Sequence, residues 1–483
     1  MIGDNDRPTY HHIPPEGLLW DPCAAMFWQG RYHLFYLHSS CLEPGPLRRP
    51  DGYMYKAWAH ISSPDLVHWT SHPPAIERGQ TGNIFLFNGT PTIVFPHPDG
   101  GGASCFASNP ARDLMEWQFE PGDPVLRHAV QGPGLYPDNN DVTAWQEGAW
   151  SYALTGSRDT PGSGDTQHLF RSHDLAAWEY VDRFYISERK WTGAKDDCSC
   201  PDFFRIGSQW MLLHFCHHFP SGSRYYLGRY QDQQFIPETF DRINWPGGNI
   251  HAPRTLLDDR GRRILFANLN EGRSMASCQA SGWYGVMSLP VVISLAADKN
   301  AICYEPASEL EALRHHPQQR TGIAINADSE LPIPDIHGAC LELEIESHGA
   351  AEFGLKVRCA PDGSEETLVS LALEPAAVEI DFRRASRRED LAYAQDLEVQ
   401  SAPIDLEQGQ RIKLRIFLDR SVLEVFAGDQ RYLAQRIFPT HPEALGLKLF
   451  SRGGPAFVRY LRAWQMGGNE CDQKSLSFLQ FQP

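Results

Sequence analysis

The chain lacks any stretch approaching about 18 uninterrupted apolar residues, which excludes a membrane-spanning helix of the usual kind. Its first residues, MIGDNDRPTYHHIPPEGLLW, have neither the basic start nor the apolar run of a secretory leader. The expectation is therefore a cytoplasmic protein. Positive charge is scarce too: 43 Lys and Arg stand against 60 Asp and Glu, a formal net charge of -17, with no basic run that could reverse it locally. Such a surface repels phosphates, so neither nucleic acid nor an anionic membrane is an expected partner. A neutral, hydroxyl-rich ligand fits better. The 11 cysteines are odd in number and irregularly spaced, unlike the disulfide framework of a secreted domain, and free thiols are expected.

What is present is β-forming sequence. Hydrophobic residues make up 42% and aromatics 11% of the 483 residues, enough for two domains rather than one core. From about residue 18 to 300, short apolar runs such as RYHLFYLHSS, TPTIVFPHP and RRILFANLN alternate with polar or Gly/Pro/Asp turns. A strand followed by an acidic residue, Leu and then Trp recurs at 60–69 (HISSPDLVHW), 105–117 (CFASNPARDLMEW) and 169–178 (LFRSHDLAAW), at a spacing suited to propeller blades. The competing reading is a side-chain-capped helical turn at each place. A polar, helix-prone linker is expected over 305–320. Beyond it, CLELEIES, AEFGLKVRC and RIKLRIFLDRSVLEVFAG alternate with period two, as one-sided strands of an antiparallel sandwich do. The expected fold class is all-β, with a propeller over 1–304 and a β-sandwich over 321–483.

Sugar cleavage requires convergent carboxylates, and several segments bring them into view. LLWDPCAAMFWQGRYHLFYLHSS (18–40) resembles the opening WMNDPNG segment of glycoside hydrolase family 32 and its following YHLFYQ strand. KAWAHISSPDLVHW (56–69) is similar to the family's WGHAxSxDLVHW stretch, CPDFF (200–204) to the end of its ECPDxF motif, and IHAPRTLLDDRGRRILFANL (250–269) to its YAPQ strand pair. LRIFLDRSVLEVFAGDQRYLAQRIFP (414–439) is similar to its C-terminal domain. The resemblance runs in order from about 15 to 468. It implies a five-bladed propeller followed by a sandwich, a fructofuranosyl-cleaving retaining glycosidase, an oligosaccharide substrate and no cofactor. A homo-oligomer is left open. By this resemblance Asp21 is the nucleophile and Asp141, in NDVTAWQEGAWSYALTGSRD (140–159), stabilises charge and binds furanose hydroxyls. Arg158-Asp159 is the rival for that motif.

The pattern also departs from the family in the pocket. Trp20 and Cys23 replace two asparagines, Leu37 a glutamine, and Asn140 and Val142 the Arg and Pro of RDP. Ser199 stands where the general-acid glutamate belongs, and a hydroxyl cannot protonate a leaving group near neutral pH. Asp197 is the expected substitute acid, with Asp196 beside it; the alternative is a solvated loop pair. Asn140, Ser199 and Asp202 are expected to line the substrate site, with Trp20 and Trp58 as an aromatic wall; Phe27 and Trp28 read equally as core. Two rivals stand beside hydrolysis: a fructosyl-transferring or other-furanoside enzyme, and a non-catalytic sugar-binding relative. Cys198 with Cys200, and His214 with Cys216, share a face if their segments are extended, but their spacing does not match a zinc site and no metal is expected.

Overall fold

The computed structural model describes residues 4–40, 56–98, 103–119, 126–127, 141–158, 165–185, 190–192, 196, 198–218, 221–349, 351–392 and 396–467. These form an almost wholly β protein with seven sheets. Five lie in the N-terminal part, each antiparallel but for one short parallel pair in the first, and built mainly of strands consecutive in sequence. The first strand of the first sheet, Gly17–Trp28, turns back into Arg31–Ser39 through Gln29 and Gly30, at φ 48° and 77°. The second sheet starts likewise, Asn83–Phe87 returning as Thr90–Pro96 through Asn88 and Gly89 at 48° and 78°. Positive φ at both positions matches a tight two-residue turn to the twist of the strands it joins.

The acidic-Leu repeat proves to be a structural repeat as well as a capped turn. In the first sheet, Asp65 Oδ1 accepts the amides of Val67 and His68 at 3.2 and 2.9 Å; in the third, Asp174 Oδ1 accepts those of Ala176 and Ala177 at 2.9 Å. Each turn joins the third strand to the fourth, and Leu66, Leu114 and Leu175 occupy equivalent left-handed positions with buried side chains. Left-handed backbone costs a leucine about 1–2 kcal/mol, which burial of its side chain, worth about 1.5–3 kcal/mol, offsets. No helix forms there.

The first strands of the five sheets pack beside one another. Gly17–Trp28 contacts Asn83–Phe87 and Ile250–Leu257, while Val142–Glu147 contacts Asn83–Phe87 and Ser199–Ile206, which also touches Ile250–Leu257. Trp283–Tyr284 adds in parallel to Gly17 and Leu18, tying the end of this region to its start.

The anticipated linker helix is reduced to a 3-10 turn, Ser308–Leu313; Arg314–Ile325 is already a strand, paired antiparallel with Ala456–Met466. Arg314 is held there by the buried carboxylate of Glu342, with both contacts at 2.7 Å. The C-terminal part consists of two six-stranded sheets enclosing one aliphatic core that includes Leu343, Leu355, Val369, Ile416 and Val425. The N-terminal segment crosses to it. Buried Asp419 accepts the amides of Thr9, Tyr10 and His11 at 2.7, 2.8 and 2.9 Å, and lies 2.9 Å from His11 Nδ1.

Candidate active site

Three of the five packed first strands break their ladder at corresponding places. Register shifts fall between Leu19 and Ala24, between Ser199 and Asp202, and between His251 and Arg254. A bulge leaves a residue unpaired and re-aims its neighbours. Cys200 and Ala252 take φ 50° and 46° within these bulges, and Cys198 takes 48° just before one. Asp21, Ser199, Cys200 and His251 therefore depart from simple strand alternation and gather with Asp141, which immediately precedes Val142–Glu147.

Asp21 is partly exposed. Thr81 Oγ1 donates to its Oδ2 at 3.4 Å, and His251 Nε2 lies 3.5 Å from its Oδ1. Asp141 Oδ2 accepts the backbone N–H of Cys200 at 3.0 Å and its thiol at 3.4 Å. Burial raises the Asp141 pKa from its ordinary value; the Cys200 amide and the charge of Arg254 oppose this. Burial pushes the Cys200 thiol well up, and both Asp141 and Asp21 add to that rise. Lys56 also senses both carboxylates, which favour its charge while burial lowers its pKa. Its Nζ sits 4.0 Å from the centre of the Trp20 ring, and Trp20 stacks on Tyr284 at 5.0 Å. Two acids, one cation and an aromatic wall thus converge. Such a group can present a carboxylate to an anomeric carbon and stabilise positive charge developing beside it.

The other expected residues divide. Asn140, Asp159 and Asp197 lie outside the described residues. Ser199 is buried with its Oγ 3.4 Å from His217 Nδ1. Asp202 faces the next sheet, where its Oδ2 accepts the N–H and hydroxyl of Thr255 at 3.0 and 2.8 Å, so this oxygen fastens two sheets together. Trp58 requires a correction: it is fully buried, its indole N–H donates to Gln80 O at 2.9 Å, and its ring packs edge-on against Phe95. A side chain with no exposed surface cannot stack on a sugar. Trp28 donates to Arg112 O, and Phe27 packs against Tyr32. Asp196 is buried against Arg224, with His214 Nε2 at 3.5 Å and the Cys198 amide at 3.1 Å, and its pKa is held far below the usual range.

The paired-cysteine reading also gives way, because the bulge separates Cys198, 3.2 Å from the Tyr185 hydroxyl, from Cys200 at Asp141. Ligand atoms of Asp196, Cys198 and His214 do lie within 4.8 Å of one another. The Arg224 guanidinium already neutralises that carboxylate, so the set is poorly suited to a cation. Lys56, Thr81, His251 and Tyr284 are the site residues that sequence reasoning did not single out, and His217 entered it only within a weak cluster of possible metal ligands. Lys56 and His251 did have a signal, as the first residues of the KAWAHISSPDLVHW and HAPR segments similar to family motifs.

The profile described as "Glycosyl hydrolases family 32 N-terminal domain" matches residues 11–306, and "Glycosyl hydrolases family 32 C terminal" matches 309–465. Among curated proteins the chain is similar to a sucrose-6-phosphate hydrolase of Zymomonas mobilis, 26% identical over 96% of this chain and 93% of that protein. It is also 26% identical to fructan 1-exohydrolase w2 of Triticum aestivum, over 95% of this chain and 88% of that one. The solved structure of fructan 1-exohydrolase IIa from Cichorium intybus shares the fold, with a TM-score of 0.82 at 22% identity over 97% of this chain and 98% of that chain. With both of its profiles matched in order across almost the whole length, and with two carboxylates converging at the bulged strands, this chain is a glycosidase belonging to glycosyl hydrolase family 32.

Proposed function

We propose that the protein cleaves a fructofuranosyl or related furanosyl linkage in an oligosaccharide, with retention of configuration. The observation that carries this reading is the convergence of Asp21 and Asp141 on Lys56 and Cys200. Asp21 attacks the anomeric carbon, the leaving oxygen departs with the bonding electrons and a proton, and water then displaces the carboxylate from the glycosyl ester. Asp141 supports the charge that develops on the ring, and Trp20 offers it an apolar face. For the proton donor the sequence offers Asp197, two residues before Ser199, which lies outside the described residues.

The five sheets form, in this reading, the blades of a closed five-bladed propeller with the site at its axis; the neighbour contacts of their first strands support that arrangement. The two six-stranded sheets are the sandwich. Relatives named for sucrose 6-phosphate and fructan cleavage support a fructose-containing substrate. The nine free thiols among the described residues suit a reducing, cytoplasmic setting.

The test is incubation with sucrose, 1-kestose and an aryl β-fructofuranoside while the anomeric signal of the first product is followed by NMR. Release of fructose initially in the substrate's own configuration is expected. An inverted first product refutes the double displacement. Sugar binding without turnover refutes the enzyme reading, and an oligosaccharide product instead of fructose makes the protein a transferase.

A further inference from the structure

Ser199 leaves the acid position of this site without a titratable side chain, and the acids described nearby do not fill it. Asp196 is fixed against Arg224 and held ionised. Asp141 spends Oδ2 on the Cys200 amide and thiol. The space next to Ser199 is occupied from the neighbouring strand. Ser199 pairs with Phe215, and His217 follows two residues later, just past the end of Gln209–Cys216. The His217 ring lies 4.8 Å from that of Phe215 and 6.0 Å from that of His251, with Nδ1 3.4 Å from Ser199 Oγ. The residue is exposed, and its charge reaches Asp141, whose pKa it lowers. An imidazole has an ordinary pKa near 6.5 and can give up and recover a proton around neutrality, as an alcohol cannot.

We propose that His217 supplies the leaving-group proton, with Ser199 positioning its ring. This rests on the retaining hydrolase reading above. In the first step a carboxylate oxygen of Asp21 bonds to the anomeric carbon, the bond from that carbon to the leaving oxygen breaks with its electron pair on oxygen, and the His217 imidazolium protonates that oxygen. In the second, neutral His217 takes a proton from water as the water oxygen bonds to the anomeric carbon. The ester bond to Asp21 breaks, and carboxylate and imidazolium are restored. His251 does not share the role: its Nε2 is 3.5 Å from Asp21, on the nucleophile's side, whereas donor and nucleophile stand across the scissile bond, about 5–5.5 Å apart.

The test compares wild type with His217→Ala, His217→Asn and Asp197→Asn on 1-kestose, whose leaving group needs a proton, and on a nitrophenyl β-fructofuranoside, whose leaving group scarcely does. Melting temperatures confirm that each variant folds. The expected result is a fall of about 100- to 10,000-fold in kcat/KM on 1-kestose for both His217 variants, a change of less than about tenfold on the aryl substrate, and a glycosyl azide product when azide is added to His217→Ala. Equal losses on both substrates, or no loss on either, overturn the assignment. Leaving-group-selective loss in Asp197→Asn with none in the His217 variants moves the role to Asp197. Failure of wild type to turn over either substrate overturns the hydrolase reading, and His217 with it.

Discussion

Replacement of Asp141 by Asn tests how the fold uses a carboxylate that it partly penalises. The amide keeps the shape of the side chain, and its oxygen can still accept the Cys200 N–H now 3.0 Å from Oδ2. What is lost is the charge. Hydrogen bonds to a charged group are worth about 1.5–3 kcal/mol. At 1.36 kcal/mol per decade, loss of one such interaction in the transition state lowers kcat/KM by about 10- to 160-fold. Stability moves differently. Burial raises the Asp141 pKa, so the ionised form is less favourable in the folded than in the unfolded chain, and this cost grows as pH rises above the ordinary carboxylate pKa. Asn removes it. Asp141→Asn is therefore expected to melt at or slightly above the wild-type temperature at pH 7 while losing most of its activity. Steady-state kinetics on an aryl fructofuranoside and thermal unfolding by circular dichroism provide both numbers. Wild-type activity within twofold refutes the assigned role, and a large fall in melting temperature shows instead that the carboxylate is structural.

Two other perturbations bear on what surrounds the site. Asp196→Asn breaks a buried ion pair with Arg224 and is expected to cost about 3–5 kcal/mol in denaturant unfolding; a midpoint equal to wild type contradicts the ion-pair account. Burial opposes the charge on His11, but Asp419 and Glu424 outweigh it and raise its pKa from 6.5 to about 9. Its contribution to stability is thus complete below about pH 6.5 and lost as pH rises through 9. The stability difference between wild type and His11→Gln should shrink across that window, and a difference independent of pH contradicts a charged His11 between Asp419 and Glu424.

Much of the architecture was readable because local chemistry and global fold agree. Asp65 and Asp174 cap tight turns whose leucines enter the core, so one short pattern marks the same corner in successive sheets. The segment around Asp21 pointed to it, and the irregular ladder between Leu19 and Ala24 sets its carboxylate beside Thr81 and His251. Trp58 was misplaced because membership of a motif does not say which face of a strand a residue occupies; it pairs with Leu37 and Ile76 and points into the core. Period-two reasoning failed for Cys198 and Cys200 because the left-handed backbone before and within the bulge breaks the alternation on which it relies. The linker was read as helix from its polar composition, although Arg314 finds its partner in Glu342 across a sheet. Lys56 reaches Asp21 and Asp141, and His217 reaches His251, only after distant strands are brought together. No local pattern reports such a meeting.

The role of Asp21 is tested most directly by turnover of an aryl β-fructofuranoside by wild type and by Asp21→Asn, with the melting temperature of each recorded. The account predicts a loss on the order of 10,000-fold or more in the variant, since the substrate's leaving group removes every demand except that for a nucleophile, with little change in melting. A folded Asp21→Asn variant that retains a tenth or more of wild-type turnover contradicts it.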